Sequence, residues 1–551
     1  MRFLLPLFLA ATGAQAQLVP GVDPVLPEAG VVDSLEAVPV AEANTAGQGA
    51  VLAERLEVIQ LDSGSGVDFQ KKTAGLEISG DLTMPAPGAL GKVLGKWIAK
   101  PLREGDLPAI ADEILIHFDQ EGYPMVVIDL PEQDLASGKL RFFVEIGRIA
   151  NVGVARPKYG NPDAVTQGLT MRSGDLLRRR EIDGQMAWYG RSIFRKPRLF
   201  VSPGLESATA DLLIGLEERR PWRATLGYEN SGQVILGRDQ FIFGIAGMTP
   251  GEYILAYQTV IGESPSVLQA HALSWEIPFH TIHQTLQLDA AYAEVETSSS
   301  IGGLPVENDG TSWSFSAMQK ARLPLGGKWR QTLAAGFELK STDQFVLFGG
   351  GDVSPGEVRF LAGKVSYNLA REWDDGAVSF GANLVASPGG LIRGNDDSDF
   401  QKYDAAADSS YLIGRFSGQG WWTPGGDWRL ALRGGAQVTD SRLLAAEQFA
   451  AGGHATVRGV AEREFLADEG WHGSIEVLAP EISIAGDFRM RFLGFYDHAW
   501  LKNRNRDSQS LSGAGFGARA KLTDHVDLRI DHGWRLDESG SRTHLGVLFA
   551  F

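Results

Sequence analysis

The chain contains no cysteine in 551 residues. Disulfides and thiolate metal sites are therefore excluded. Beyond its first few positions it has no apolar run of about 18 residues, which excludes a helical membrane protein. Positive charge is in short supply: 51 Lys and Arg face 68 Asp and Glu, for a net charge of −17. That argues against nucleic-acid binding, which needs a basic surface. The 10 His residues form no metal-spaced cluster. "GGGDVSPGE" (349–357) resembles a phosphate loop only superficially, because it lacks the GK[ST] ending and a following helix. No nucleophile–base set stands out either. The expectation is a protein that is not an enzyme and uses no cofactor or metal.

What is abundant is glycine, with 67, together with 27 Phe and 13 Trp. The N-terminus reads as a secretory signal over residues 1–16: Arg2, an apolar "FLLPLFLAA" (3–11), and a small-x-small "AQA" (14–16) before Gln17. Residues 17–73 read as a leader or linker, its first part rich in Pro, Ala, Gly and acidic residues. Two small α+β units follow, at 74–150 and 151–220. In the first, "LPAIADEILIHFDQEGY" (107–123) puts Ile110, Ile114 and Phe118 at four-residue steps, a core-facing helical stripe. "MVVIDLP" (125–131) and "GKLRFFVEIG" (138–147) read as strands, and a second helix-then-strands pass covers 168–219.

From Pro221 the helical period disappears. Glycine-punctuated strands of roughly ten residues run to the end. Along one, Trp329, Leu333, Ala335, Phe337 and Leu339 share a face and oppose Arg330, Thr332, Glu338 and Lys340. Along another, Val526, Leu528, Ile530 and Trp534 oppose Asp527, Arg529, Asp531 and Arg535. Such alternation gives one apolar and one charged face. Aromatics at strand ends, and links that alternate short with long, favour a membrane barrel over a soluble sandwich. The long links are expected at 296–311, 341–356, 389–410, 439–469 and 499–511. About 16 antiparallel strands are expected, closed so that no backbone edge meets lipid, with an aqueous lumen. The last strand ends on Phe551, an aromatic expected to serve as a membrane-insertion signal. The fold class is thus an all-β transmembrane barrel (221–551) preceded by two α+β domains.

"EQFAAGGHATVRGV" (447–460) and "MRFLGFYDHAW" (490–500) carry a resemblance, supported by "FDQEGYPMVVIDLPEQDLASGKLRFFVEIGRI" (118–149) and "RRPWRATLGYENSG" (219–232). From about residue 74 onward the chain resembles the haemolysin secretion/activation proteins, the outer-membrane transporters of two-partner secretion within the Omp85 superfamily. The resemblance implies two periplasmic POTRA domains and a loop, here 439–469, that folds back into the lumen. Its tip would be Val457, Arg458, Gly459 and Val460, with Asp497 as the barrel-wall carboxylate holding Arg458. Val460 stands where the family usually has an aromatic, and "DHA" (497–499) replaces the common D-x-G. The residues add their own argument. Alternation puts Asp497 on the inward face with Arg489, Arg491 and Phe495, and an arginine can hold a carboxylate in a bidentate bond. Gly459 permits a tight turn beside Arg458, while Gly452 and Gly453 form a hinge at the loop entry.

The function implied is an outer-membrane pore in a Gram-negative bacterium that exports and activates a large secreted exoprotein. The implied partners are that exoprotein, outer-membrane lipids and the barrel-assembly machinery, with no nucleic acid. The alternatives are an Omp85-type assembly factor, which shares fold and loop, and a diffusion porin, which needs neither POTRA domains nor a VRG tip.

Overall fold

The computed structural model describes residues 46–551 except 65–68, 70–72, 74, 302–303, 325–328, 349 and 505–506. The expected signal segment 1–16 and the leader up to residue 45 lie outside the described residues. Among the described residues no helix is long and apolar enough to cross a membrane. The chain divides into two units, one of them holding the barrel.

The N-terminal unit contains two small sheets. The first has the order Leu76–Ile78, Val58–Asp62, Lys139–Ile146, Val126–Asp129. The helix Asp106–Gln120 covers it, and Ile110, Ile114 and Phe118 are buried against Ile59, Leu61, Leu140 and Phe142, as their spacing requires. The boundary expected at residue 74 is corrected here. Val58–Asp62 is buried along its whole length and pairs in parallel with strands on both sides, so it belongs to this sheet and not to a leader. Strand Val51–Ala53 likewise pairs with Leu102–Arg103. A strand buried on both faces shows no alternation against its neighbours, and five residues are too few to signal otherwise. The second sheet has the order Arg148–Val154, Thr209–Glu218, Arg195–Pro203. Helix Arg179–Tyr189 packs on it through Ile182, Met186, Trp188 and Tyr189, against Leu212 and Ile214.

The second unit is a closed antiparallel barrel of 16 strands. It runs from Trp222–Glu229 to Ser541–Ala550, and these two strands pair to close the ring, with Leu226 opposite Phe549. Phe551 extends this seam: its amide donates to the Ala224 carbonyl at 2.9 Å. The outward faces carry the exposed large apolar side chains, among them Phe243, Trp275, Phe337, Leu432 and Ile530. That is the pattern a barrel in lipid demands, since its outside has no water to face. The residues opposing them, such as Glu338, Lys340, Asp497 and Asp531, are buried inside.

Three of the expected long links, 296–311, 341–356 and 499–511, are instead mostly strand. Gln284–Ile301 and Leu304–Pro324 stay paired as far as Ile301 and Leu304, and Trp329–Phe348 runs far past residue 341. At about 3.3 Å per residue, such strands greatly exceed the roughly ten residues a bilayer needs. Beyond the membrane the outward face need not be apolar, so the alternation that marks a strand is lost there. The links at 389–409 and 440–468, by contrast, are true loops, and both turn inward. Phe400, Ala407, Leu443 and Leu444 pack on the lumen-facing Val358, Phe360 and Ile413.

Candidate functional site: a loop held inside the barrel

The segment between strands Trp428–Thr439 and Glu469–Leu478 is a folded strap. Its stem is a short antiparallel pair, Phe449–Ala451 with Phe465–Ala467. At the top of the stem Gly452 and Gly453 adopt φ of 108° and 96°, in the left-handed region that side chains resist. A side chain on Gly452 would also strike the Ala461 carbonyl. These two glycines turn the chain into the tip.

At the tip, Arg458 is 1% exposed and Asp497 0%. The Arg458 Nε donates to Asp497 Oδ2 at 2.7 Å and its Nη2 to Oδ1 at 2.8 Å, a bidentate pair. The Arg458 backbone amide also donates to Oδ2, at 3.0 Å. The guanidinium has further partners: Nη1 donates to Glu476 Oε1 at 2.6 Å and Nη2 to Ser474 Oγ at 3.1 Å. Asp531 lies 3.6 Å from Nη1, and the Phe495 ring centre lies 3.4 Å from the guanidinium carbon. Asp531 is shared with Arg519 at 2.9 Å. Two arginines thus meet three carboxylates around the enclosed Arg458–Asp497 pair, where unpaired charge would be costly.

Register explains why four strands converge here. Ser474 pairs with Asp497, Asp497 with Gly513, and Gly513 with Arg535. One step along, Glu476 pairs with Phe495, Phe495 with Gly515, and Gly515 with Gly533. Carboxylates and the aromatic ring lie to one side of this patch, and glycines to the other. The glycines form the seat. A Cβ on Gly513 would meet the Arg458 carbonyl, and one on Gly533 would come within 2.7 Å of the Arg458 backbone. A Cβ on Gly459, itself at φ 100°, would come within 2.8 Å of the Trp534 and Arg535 backbone. Val457 and Val460 complete the docking, buried with Ala499, Leu501 and Leu511.

The structure therefore brings Val457, Arg458, Gly459, Val460 and Asp497 together, with Gly452 and Gly453 at the entry bend. It does not bring Arg489 and Arg491 to the tip. Arg491 binds Asp427 at 2.9 Å, and Arg489 lies beside Asp524 at 3.9 Å. Sequence reasoning missed Ser474, Glu476, Asp531 and the glycine seat. The alternate glycines of "GAGFG" (513–517) were the available signal for the seat, since all three fall on one face.

The root of the strap has two more anchors. Arg442 binds Asp404 on the neighbouring loop at 2.8 Å and Asp468 at 2.9 Å. Glu447, 2% exposed, accepts from Lys340 Nζ at 2.9 Å and from Arg415 Nη2 at 2.5 Å. Burial works against its charge, but Lys340 and then Arg415 outweigh that and hold its carboxyl at about 2. Near the tip, burial pushes Glu462 up to about 7 and His454 down to about 3.

Comparison with known proteins bears on the family and the fold. The family model described as "Haemolysin secretion/activation protein ShlB/FhaC/HecB" matches residues 209–520. The outer membrane transporter CdiB of Escherichia coli O6:K15:H31 (strain 536 / UPEC) is 23% identical over 462 residues, 78% of this chain and 73% of that protein. The solved structure of CdiB from Escherichia coli superposes with a TM-score of 0.77 at 17% identity, over 94% of this chain and 93% of that one. CdiB from Acinetobacter baumannii gives 0.70 at 14% identity, over 92% and 90%. With a closed barrel, two α+β domains before it and a family match over more than half its length, the chain belongs to the haemolysin secretion/activation family, the outer-membrane transporters of two-partner secretion in the Omp85 superfamily, whose POTRA domains lie in the periplasm.

Proposed function

We propose that this transporter exports one large exoprotein, delivered to the POTRA domains and passed through the lumen, and that Arg458 and Asp497 form the latch holding the loop inside. The observation that carries the latch is the buried bidentate pair: an exposed ion pair would contribute only about 0–1 kcal/mol, whereas this one is wholly enclosed. Strand Arg195–Pro203 is an edge of its sheet, with Phe200 and Leu213 exposed beside it. It offers an extended segment of the exoprotein a place to add as a further strand, with an apolar side-chain contact alongside. The charged inner wall supplies a wet, weakly binding path. Folding of the cargo outside the cell prevents backsliding, and no step requires covalent chemistry. Outer-membrane lipids surround the apolar band, and the barrel-assembly machinery inserts the chain.

Two experiments test this. In the first, surface-plus-medium and outer-membrane proteomes are compared between wild type and a strain lacking the chain. Loss of one large secreted protein, with other outer-membrane proteins unchanged, is expected. Broad depletion of outer-membrane proteins would make the chain an assembly factor, and no change in either fraction would favour a porin. In the second, Arg458→Ala is expected to expose the loop to protease and to alter export. Wild-type behaviour in both assays would rule out the latch.

A further inference from the structure

The Glu447 anchor lies away from the tip, on a different part of the wall. Its cations come from strands Trp329–Phe348 (Lys340) and Ser410–Gly425 (Arg415). The tip is held by Glu469–Leu478, Phe488–Lys502 and Val526–Arg535. Lys340 and Asp497 stand on the seventh and thirteenth strands of a ring of 16, more than a third of the way round. Both lie on inward faces and both are buried. A single loop bound at both places crosses the lumen.

Local chemistry makes the Glu447 contact selective. Lys340 is shared between Glu447 and Glu338 (2.7 Å), and Glu338 also meets Lys364 at 3.4 Å. The main chain is engaged too: the Glu447 carbonyl accepts from Gln437 Nε2 at 2.9 Å and from Arg415 at 3.2 Å. If Glu447 left, Lys340 and Arg415 would face one another across the vacated space without their shared anion. That cost resists withdrawal of the loop.

We infer that Glu447 is a second latch, a positioning residue that with Arg458 pins the 440–468 loop to two separate sectors of the wall, so that the lumen opens fully only when both are released. Loss of one latch leaves the loop tethered by the other, and the two substitutions are more than additive. The inference rests on reading Arg458 as a latch but needs no exported partner.

The test uses the full-length transporter reconstituted in planar lipid bilayers. The variants are Glu447→Gln, Arg458→Ala and the double substitution. Each single variant is expected to raise mean conductance by no more than about twofold, and the double by several times the product of the singles. The chain has no native cysteine, so Ala455→Cys gives a clean second readout. Its labelling by an impermeant maleimide is expected to rise in Arg458→Ala and to rise several-fold further in the double variant. A purely structural role for Glu447 would lower the unfolding temperature without changing conductance. A double variant that conducts and labels no more than Arg458→Ala overturns the second latch. An Arg458→Ala single that already opens fully overturns it as well, and one that changes nothing even with Glu447→Gln overturns the Arg458 latch too. If Glu447→Gln yields no inserted barrel, Lys340→Gln with and without Arg458→Ala carries the same comparison.

Discussion

Arg458 presents charged donors along two edges of one planar group at once, which a lysine cannot do. Its Nε and Nη2 fork grips Asp497, while Nη1 reaches Glu476. Arg458→Lys keeps the charge but offers one compact ammonium, so at least one of these charge-assisted bonds is lost, at about 1.5–3 kcal/mol. The expected outcome is a fall in the denaturant midpoint of loop protection, close to that of Arg458→Ala. If lysine protects like arginine, point charge alone holds the tip. At this scale the sequence was informative about direction but not about height. Alternation put Asp497, Phe495, Arg489 and Arg491 on one inward face, and the structure agrees. Only Asp497 and Phe495 meet the tip, because strand stagger fixes how high each residue sits in the wall, and stagger depends on partners far along the chain. Glu476 and Asp531 were hidden for the same reason, among many other inward charges.

At the scale of the loop, protonation enters. Glu462 sits at about 7 when docked against an ordinary 4.5, so the docked loop keeps a proton that a free loop has released. Its contribution is fully present below about 4.5 and is lost as pH rises through 7. His454 runs the other way: at about 3 against 6.5, it favours docking increasingly as pH rises from 3 to 6.5. Their carboxylate and imidazole lie 3.7 Å apart. Between 4.5 and 6.5 the two slopes oppose one another, and above 6.5 Glu462 acts alone. Glu462→Gln is therefore expected to stabilise the docked loop at pH 8 by about 1–2 kcal/mol while leaving the acid limb in place. Unfolding midpoints measured from pH 4 to pH 8 check this, and an unchanged midpoint at pH 8 would remove Glu462 from the account. The loop itself was legible as a glycine-bracketed interruption between strands. Its second anchor was not, since nothing local marks Glu447 as buried.

At the scale of the whole molecule, the barrel was legible because lipid forces every spanning strand to be apolar on one side, and that constraint is periodic. Strand number followed, whereas the inward course of loop 439–469 came from the family resemblance and not from the period. The extensions of Gln284–Ile301 and its neighbours beyond the membrane did not follow, since water imposes no such pattern. Nor did strand Val58–Asp62, whose burial comes from partners up to residue 143.

The position of the strap along the chain sets an order of events. Arg458 and Asp497 are 39 residues apart and Glu447 and Arg415 only 32, whereas Glu447 and Lys340 are 107 apart. The seam contact between Asn230 and Leu545 spans 315. Closing that seam costs about 1.8 kcal/mol more chain entropy than docking the tip, and the bond to Lys340 about 0.9 more. The carboxyl-terminal strands can thus wrap their own loop while the sheet is still open, with Lys340 joining next and the ring sealing last. In pulse-labelled refolding, the Arg458 amide is expected to gain protection from exchange before the amides of the Trp222–Glu229 strand. The reverse order would mean that the ring closes empty and is filled afterwards. Under the expected order, a chain that cannot seat its tip is stalled as an unclosed sheet, so the residues proposed to latch the finished pore also time its completion.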